Sequence, residues 1–337
     1  MASLIMACHS SYDPVPEGYM SITGKTMGTS YSAMYQDTAN QIFTAQADSI
    51  FELINQSMST YIDSSLISWM NRDSTHNILT VDKHFKQVYE KAKIIYRISN
   101  GAFNPAVMPL VNYWGFGYED TPDQVDSNTV DSLLELLDFD AFSLSEAVTE
   151  FDTIPILTRS NPNAQLDFSA IAKGYAVDQF GLFLESKHID NYMVEIGGEV
   201  RTSGLYGDKP WAIGIEEPAN YPEAESTLFQ IIKLSGKSAA TSGNYRNQRT
   251  IEGKIYAHTI NPFTGYPELN EVLSATVLAN DCAMADALAT ACMVLGKDKA
   301  LELIKGLKGV EVFLIIHKDD DFKAVYTRGF EPYLEDN

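Results

Sequence analysis

The stretch Leu166–Asp178, which reads LDFSAIAKGYAVD, predicts the start of a long helix. Asp167 and Ser169 precede an apolar run with helical spacing, a pattern typical of a helix N-terminus. The unpaired N–H groups and partial positive charge of such an end suit an anionic ligand. Lys173 lies about one turn into the helix, where the dipole disfavours a cation, so a nearby anion would explain it. An ordinary helix with an early lysine fits the pattern equally well.

The composition is that of an acidic globular protein. The chain has 337 residues, of which 45% are hydrophobic and 20% charged, a length that suffices for one large domain or two small ones. Its formal net charge of −21 argues against a nucleic-acid partner, because phosphate contacts need a basic face. The same charge gives no electrostatic steering of an anionic substrate. A phosphate ligand would therefore need local cations, backbone dipoles or a metal ion.

The N-terminal segment resembles the end of a bacterial lipoprotein signal. A small residue, Ala7, stands just before Cys8, the cysteine that would be acylated. We therefore expect an exported protein on the periplasmic side of the inner membrane, anchored by lipid at Cys8, with residues 1–20 as a polar tail. No apolar run here approaches the length of a membrane span. A chance match is the alternative, since no basic and apolar regions precede the cysteine.

Mixed helical and strand patterns predict an α+β fold rather than a doubly wound sheet. Apolar residues recur at helical spacing in Gln41–Met58 and Val81–Ile98, and Asn100–Gly101 should end the second helix. Gly197–Gly198 indicates a bulge or a close backbone approach. Strands are predicted at Ile22–Met34, Tyr192–Arg201, Trp211–Ile215, Thr227–Leu234, Val272–Val277, Val312–His317 and Phe322–Thr327, the last two as a hairpin.

The tetrapeptide Thr23–Thr26 ends like a phosphate-binding loop but does not satisfy that motif. The motif needs a glycine five positions before Gly24, where this chain has Tyr19. It also needs a helix afterwards, whereas the residues that follow alternate like a strand. We therefore reject a P-loop.

A late Ala-rich helix carries a carboxylate and a hydroxyl on one face. The pattern predicts that this helix ends before Gly296, and Asp286 and Thr290 are four positions apart. These hard oxygen ligands suit Mg²⁺ better than a soft metal, although a local hydrogen bond is the alternative. Cys282 and Cys292 lie in the same helix, separated by about 15 Å of rise, so we expect core residues rather than a disulfide.

Two polar segments could also contribute to a site. His258 precedes the turn signals of Asn261–Gly265, where an imidazole could contact phosphate or move a proton near neutral pH. A structural histidine is the alternative. Thr241–Arg249 is predicted to be a polar loop that carries Arg246 and Arg249 in an otherwise acidic chain. A solvated loop without a ligand would have the same pattern.

Taken together, these segments resemble one family, the bacterial FAD:protein FMN transferases, or ApbE-like flavin transferases. The resemblance extends from about Gly24 to the C-terminus, with the motifs in the family's order. They are TMGTSYS at 26–32, MSTYIDSSLISWMN at 58–71, GAFNPAVMPLVNYWGFG at 101–117, LDFSAIAKGYAVD at 166–178, EIGGEV at 195–200, TSGNYR at 241–246, HTINPFTG at 258–265 and ADALATA at 285–291. The resemblance implies a single large catalytic domain over residues 21–337, with a mixed, largely antiparallel sheet and packed helices.

The activity and the site residues are implied by this resemblance. Members of the family bind FAD with Mg²⁺, attach FMN through its phosphate to a Ser or Thr of a target protein, and release AMP. The metal ligands correspond to Asp286, Thr290 and the backbone oxygen of Ala170. Flavin and diphosphate contacts correspond to Met27, Tyr61, Ala102, Phe103, Asn104, Asp167, Lys173, His258, Thr259 and Ile260. We expect Asp286 to be essential for catalysis and His258 to assist proton transfer or hold the phosphate.

Several positions depart from the commoner family pattern. Asn104 stands where the family often has Asp, and Ser169–Ala170 replaces a frequent Gly–Gly. Thr259 replaces a common apolar residue and Phe263 a common basic one. These changes bear on how the diphosphate is bound and on which group acts as the base.

Two other functions remain open at this point. A FAD pyrophosphatase would use the same site with water as the acceptor, whereas a flavin-binding lipoprotein would hold FAD without turnover. For a transferase, the family implies exported subunits of redox complexes as acceptors, each with an exposed Ser/Thr motif. Tyr61, Met27 and Trp114 would either pack against the flavin or fill the core.

Overall fold

The structure is a computed structural model that describes residues 15–119, 124–149, 152–218, 227–244, 248–251, 254–318 and 321–335. Cys8 lies outside these ranges, so the lipid anchor stays a prediction. Tyr245 and Arg246 of the predicted polar loop also lie outside them. None of the helices in the described ranges combines the length and apolar character that a membrane crossing requires.

Strands and helices alternate irregularly along the described chain. The strands are β1 Tyr19–Thr26, β2 Thr29–Gln36, β3 Ile78–Thr80, β4 Phe142–Val148, β5 Thr153–Arg159, β6 Tyr192–Ile196, β7 Glu199–Ser203, β8 Trp211–Glu216, β9 Leu228–Leu234, β10 Ser238–Gly243, β11 Gln248–Ile251, β12 Lys254–Ala257, β13 Val272–Ala279, β14 Glu311–Lys318 and β15 Asp321–Tyr326. The α-helices are α1 Thr44–Met58, α2 Leu66–Arg72, α3 Lys83–Ile98, α4 Met108–Tyr113, α5 Ser127–Leu134, α6 Ser169–Ser186 and α7 Cys282–Lys305. Short 3₁₀-helices span Pro105–Val107, Phe139–Ala141 and Arg328–Tyr333.

The chain divides into two compact units. The first contains the described parts of Met1–Glu52, Lys173–Arg246 and Asn270–Asn337. The second contains the described parts of Leu53–Ala172 and Asn247–Leu269. The single catalytic domain expected over residues 21–337 stays a prediction.

An eight-stranded sheet is the framework of the first unit. Its strand order is β1-β2-β6-β7-β10-β13-β14-β15, and every neighbouring pair is antiparallel. Helix α7 packs against β10 and β13, and nearly all residues of β6 and β13 are buried. The β8–β9 hairpin contributes Trp211 and Leu234 to a core that also contains Phe313. This architecture confirms the predicted α+β class and its largely antiparallel pairing.

Two tight turns correct the strand boundaries predicted from sequence. The expected strand Ile22–Met34 is instead the β1–β2 hairpin, which reverses at Met27–Gly28 with φ angles of 48° and 73°. Gly197–Gly198 is likewise the turn between β6 and β7 rather than a bulge. A Cβ on Gly197 would lie 2.8 Å from the Thr29 side chain, so the close approach is confirmed. Strand alternation continues across a two-residue turn, which is why the pattern concealed the reversal.

The structure confirms the rejection of a P-loop in β1 but corrects the predicted end of α7. Thr23–Thr26 lies within β1 and no helix follows it, which confirms that it is not a P-loop. Gly296, expected past the end of its helix, instead interrupts α7 with φ 71° and ψ 171°, and helical residues continue to Lys305. Glycine tolerates this backbone because it has no Cβ. Cys282 and Cys292 are buried and free, as predicted.

The second unit combines small sheets with short helices. It contains the three-stranded sheet β3-β5-β4 and the β11–β12 ribbon. Helix α3 begins after Asp82, whose carboxylate accepts hydrogen bonds from the backbone N–H of His84 at 2.8 Å and of Phe85 at 2.9 Å. The helix ends before Asn100–Gly101, where both residues have positive φ, as predicted.

Trp114 fills the core of the second unit. Its ring is fully buried among Leu110, Val130 and Ile260, and its Nε1 donates to the Gly265 carbonyl at 2.8 Å. That hydrogen bond also fixes the turn that ends at Gly265, where the backbone N–H donates to Asn261 O at 2.9 Å. Of the two roles open for Trp114, the structure supports the core role.

Candidate functional site

A cluster of buried charges lies in the first unit where α6, α7 and β7 provide one side chain each. Lys173 on α6 forms an ion pair with Glu199, the first residue of β7. Asp286 on α7 accepts a hydrogen bond at its Oδ2 from the backbone N–H of Gly174, at 3.1 Å. Glu199 and Asp286 are each 3% exposed, whereas the Lys173 side chain is 30% exposed. Lys173 therefore has the most exposed side chain of the trio.

The position of α7 relative to α6 is set by carboxylates at its N-terminus. Asp178 of α6 accepts hydrogen bonds from the N–H groups of Cys282, at 2.9 Å, and Ala283, at 3.0 Å. Arg201 binds the same carboxylate at 2.9 Å, and Asp281 caps the helix by accepting from Met284 N at 2.9 Å. Negative charge is favourable at a helix N-terminus. These contacts fix the rotation of α7 and hence the direction of Asp286, one turn further along.

Gly174 permits the close approach of the two helices. A Cβ at this position would lie 2.7 Å from the carbonyl carbon of Cys282 and 2.8 Å from Ala283 N. These neighbours are backbone atoms that cannot rotate away. Gly174, in the sequence LDFSAIAKGYAVD, is therefore required for the packing of α6 against α7. This packing brings the Gly174 N–H to the Asp286 carboxylate.

Burial and charge shift the proton affinities of the trio. Burial raises the pKa of Glu199 to about 8, although the Lys173 ammonium opposes this shift. Burial also raises the pKa of Asp286, again opposed by Lys173. Burial disfavours the charged form of Lys173, but the carboxylates of Glu199 and Asp286 outweigh it and the pKa of Lys173 is raised. The ionised forms of the two carboxylates are thus incompletely compensated by Lys173, and an additional cation would stabilise them.

Hydroxyl groups extend the cluster along α7. Thr290, one turn after Asp286, has its Oγ1 3.3 Å from the hydroxyl of Ser242. Thr241 makes a similar contact of 2.9 Å with Thr276 on β13. The predicted loop at Thr241–Arg249 is wrong at both ends, because residues 241–243 belong to β10 and Arg249 to β11. The ladder between β10 and β13 explains this, since a sequence pattern of small polar residues does not reveal a strand partner.

A second group of predicted residues gathers within the second unit. The Tyr61 hydroxyl donates to Phe116 O at 2.9 Å, although the Tyr61 residue is 69% exposed. The Phe116 ring lies 6.4 Å from the His258 ring, measured between centroids. Asp167 accepts a hydrogen bond from Ser169 N at 2.7 Å, and burial raises the pKa of its carboxyl. An exposed aromatic ring, an imidazole and a carboxyl thus lie in the same unit.

The remaining predicted contacts of this unit have structural partners. Asn104 accepts from Ala106 N at 2.9 Å and donates to Leu137 O at 2.9 Å, so both polar atoms of its amide have a partner. Ala102 and Phe103 are both 2% exposed. Thr259 and Ile260 are buried, and Ile260 belongs to the cluster around Trp114. For Ile260 the ligand contact implied by the resemblance would have to be made by the backbone.

Two predicted residues stand out by their backbone. Met27 is half-buried at the β1–β2 turn with a φ of 48°, a conformation that is uncommon for a residue with a side chain. Ala170 departs from helical geometry inside α6, with φ −88° and ψ 17°. Ala170 lies in the second unit and Asp286 and Thr290 in the first, so their common role in a metal site stays a prediction.

The donor atoms fit a hard divalent cation. Asp286 and Thr290 offer a carboxylate and a hydroxyl one helical turn apart, and the neighbouring Glu199 carboxylate has one buried oxygen without a hydrogen-bond partner among the described residues. Within the described ranges, no three His, Cys, Asp or Glu side chains are arranged to hold a metal. Mg²⁺ suits this combination because it takes few protein ligands and completes its shell with water, backbone and phosphate oxygens.

Glu199 is the residue that sequence reasoning missed. The motif EIGGEV contributes to the family resemblance, but the motif alone gives neither glutamate a role. Two glutamates on either side of a Gly–Gly turn, one of them in the otherwise apolar strand β6, are the signal that could have indicated it. Buried carboxylates are rare unless they are paired.

Comparison with known proteins places this chain and its fold in one class. The family model described as the ApbE family matches residues 27–314. A protein named FAD:protein FMN transferase from Vibrio cholerae is 34% identical over 328 residues, covering 95% of this chain and 94% of the relative. One of the same name from Haemophilus influenzae is 34% identical over 350 residues, covering 99% and 96%.

Solved structures agree with the sequence relatives. The flavin transferase ApbE from Vibrio cholerae has a TM-score of 0.81 at 34% identity, covering 94% of this chain and 99% of that chain. The apo flavinyl transferase ApbE from Pseudomonas stutzeri has a TM-score of 0.79 at 28% identity, covering 94% and 96%. The fold is therefore that of the flavin transferases, and the chain belongs to the ApbE family. The family resemblance and the expected class of enzyme are confirmed.

Proposed function

We propose that this protein transfers FMN from FAD to a Ser or Thr hydroxyl of a target protein, in a Mg²⁺-dependent reaction that releases AMP. The family membership supports the flavin transfer. The observation that carries the metal requirement is the buried Asp286 carboxylate, with Thr290 one turn along α7 and the half-satisfied Glu199 carboxylate beside it. An acidic chain needs such a centre to hold a dianionic dinucleotide.

The reaction balances as a phosphoryl-group transfer. The acceptor hydroxyl oxygen forms a bond to the FMN-side phosphorus while the bridging P–O bond breaks, and AMP leaves with the electron pair. The hydroxyl proton passes to a base, for which His258 is the candidate. Mg²⁺ held by Asp286 and Thr290 would neutralise the diphosphate and stabilise the leaving phosphate.

The protein's own residues then have separate tasks. The partly exposed Lys173 ammonium binds diphosphate oxygens. Its charge is fixed in place by Glu199, so little reorganisation is needed when the substrate arrives. The exposed Tyr61 ring offers a face for the isoalloxazine ring. His258, on the same unit as Tyr61, accepts the proton or contacts the phosphate.

The proposed function is tested by measuring the mass of the acceptor protein after the reaction. The protein is incubated with FAD, Mg²⁺ and an exported flavoprotein subunit, and the subunit is analysed by intact mass spectrometry. An increase by one FMN phosphoester, lost when the acceptor Ser or Thr is replaced by alanine, is the expected result. Free FMN and AMP without an adduct would instead identify a pyrophosphatase, and intact FAD would identify a binding protein.

The metal site is tested with a matched pair of variants. Asp286→Asn keeps the size of the side chain but removes its charge, so we expect turnover to fall by about 10²–10³ or more. Thr290→Val should also lower turnover, while Thr290→Ser keeps the hydroxyl and should retain most of it. Full activity in Asp286→Asn would refute the metal assignment.

We also propose that the acceptors are exported redox-complex subunits and that Cys8 carries the lipid that holds the protein at the periplasmic face. The support is the Met6–Ala7–Cys8 sequence and the family resemblance. Labelling with radioactive palmitate in cells should mark the protein and not its Cys8→Ser variant. Equal labelling of both would contradict the anchor.

A further inference from the structure

The buried charges around Asp286 do not balance. The ammonium of Lys173 pairs with Glu199 and also interacts with the charge of Asp286. Glu195, across the β6–β7 turn, is 3% exposed, and its charge interacts with Lys173 as well. In the described part of the chain, no cation other than Lys173 forms an ion pair with any of these carboxylates. Three carboxylates therefore share one ammonium.

Glu199 is the least compensated member of this group. Its Oε1 binds Lys173, but its Oε2 is buried and has no hydrogen-bond partner among the described residues. Glu195, by contrast, accepts from Gly198 N at 2.8 Å and from Ser32 Oγ at 3.3 Å. A buried, half-satisfied carboxylate destabilises the fold. Such a cost is typical of a functional position.

Lys173 is able to neutralise either of two carboxylates. A full ion pair between Lys173 and Asp286 would compete with any cation at Asp286. The ion pair with Glu199 holds the Lys173 ammonium on the β7 side. The negative charge of Glu199 then compensates the ammonium in place of Asp286. We infer that Glu199 is a positioning residue, which retains Lys173 and thereby keeps the Asp286 carboxylate open to a divalent cation. This inference rests on the proposed metal role of Asp286.

The test measures metal binding in the absence of FAD and of turnover. Mn²⁺ is titrated into the protein, and the free ion is followed by electron paramagnetic resonance. The titration is made above pH 8, where Glu199 is ionised. Glu199→Gln then removes one charge at constant shape, and we expect Mn²⁺ to bind about tenfold more weakly or worse, because Lys173 turns to Asp286. The double variant Glu199→Gln with Lys173→Met removes both charges and should restore the affinity to within about twofold of the wild type.

A matched control separates this effect from general charge loss. Glu185 also forms an ion pair, with Arg201, but does not contact Lys173 in the described structure. Glu185→Gln changes the net charge by the same amount and should leave Mn²⁺ affinity unchanged. Thermal unfolding of every variant shows whether the fold persists. Restored binding in the double variant is a second check, since it requires an intact site.

The outcomes distinguish the inference from the function on which it rests. If the Asp286→Ala variant binds Mn²⁺ as tightly as the wild type, the metal site is refuted. It is also refuted if the wild-type protein binds no Mn²⁺. If Asp286→Ala loses binding but Glu199→Gln binds normally, only the positioning role of Glu199 is overturned. It is also overturned if the double variant binds as weakly as Glu199→Gln, since Lys173 would then not be the competitor.

Discussion

Replacement of Gly174 by alanine should destabilise the contact between α6 and α7 and, with it, the position of Asp286. The added Cβ would lie 2.7 Å from the Cys282 carbonyl carbon and 2.8 Å from Ala283 N. Overpacking of this kind typically costs about 1–3 kcal/mol, and a clash with backbone atoms belongs at the upper end. The Gly174 N–H also donates to the Asp286 carboxylate at 3.1 Å. Hydrogen bonds to charged groups contribute about 1.5–3 kcal/mol, part of which is lost when the helices separate.

We therefore expect Gly174→Ala to lower the free energy of unfolding by about 3 kcal/mol or more. Urea unfolding followed by far-UV circular dichroism measures this quantity. Gly306→Ala is the matched control, because Gly306 has an ordinary φ of −78° and the new Cβ would lie 3.4 Å from the Leu303 carbonyl oxygen, an acceptable distance. That variant should stay within about 0.5 kcal/mol of the wild type. A loss below about 1 kcal/mol in Gly174→Ala would refute the close-contact reasoning.

Three further variants test other parts of the structure. Lys173→Ala should weaken FAD binding in an equilibrium titration, and an unchanged affinity would remove Lys173 from the diphosphate site. Trp114→Ala should lower the free energy of unfolding by about 3–5 kcal/mol, because it leaves a large cavity and removes the hydrogen bond to the Gly265 carbonyl. A smaller loss in urea unfolding would contradict the core role of Trp114. In the presence of a chelator, the free energy of unfolding should fall as the pH rises from about 5 to about 8. Burial raises the pKa of Glu199 to about 8, so in this range the folded protein keeps a proton that the unfolded chain releases. Glu199→Gln should flatten that slope, and an equally steep slope would show that another group titrates.

Periodic features of the fold were predictable from sequence, and tight reversals were not. Helix α3 was predicted within two residues, because its apolar positions repeat at helical spacing and Asp82 caps it. The β1–β2 reversal was missed, because Met27 is not a residue that usually marks a turn with positive φ. Gly296 was read as a helix stop, whereas a second helical segment follows it directly. Nothing local in the sequence distinguishes an interruption from an end.

The candidate site was predictable only where its residues share one helix. Asp286 and Thr290 were found because a four-residue spacing places them on one face. Glu199 was not, since its contact with Lys173 joins residues far apart in the chain and depends on the pairing of β6 with β7. Lys173 was expected near an anion, and Glu199 is an anion that this chain itself provides. Burial, which decides the charge balance, is a property of the folded unit and not of a motif.

The measurement that tests the central claim most directly is the molar ratio of AMP released to flavinylated acceptor formed. Chromatography of the nucleotides and intact mass of the acceptor give both amounts from one reaction. We predict a ratio of one with Mg²⁺ present, and neither product after chelation or in Asp286→Asn. Adduct formation that persists without a divalent cation, or AMP release without any adduct, would contradict a metal-dependent transfer centred on Asp286.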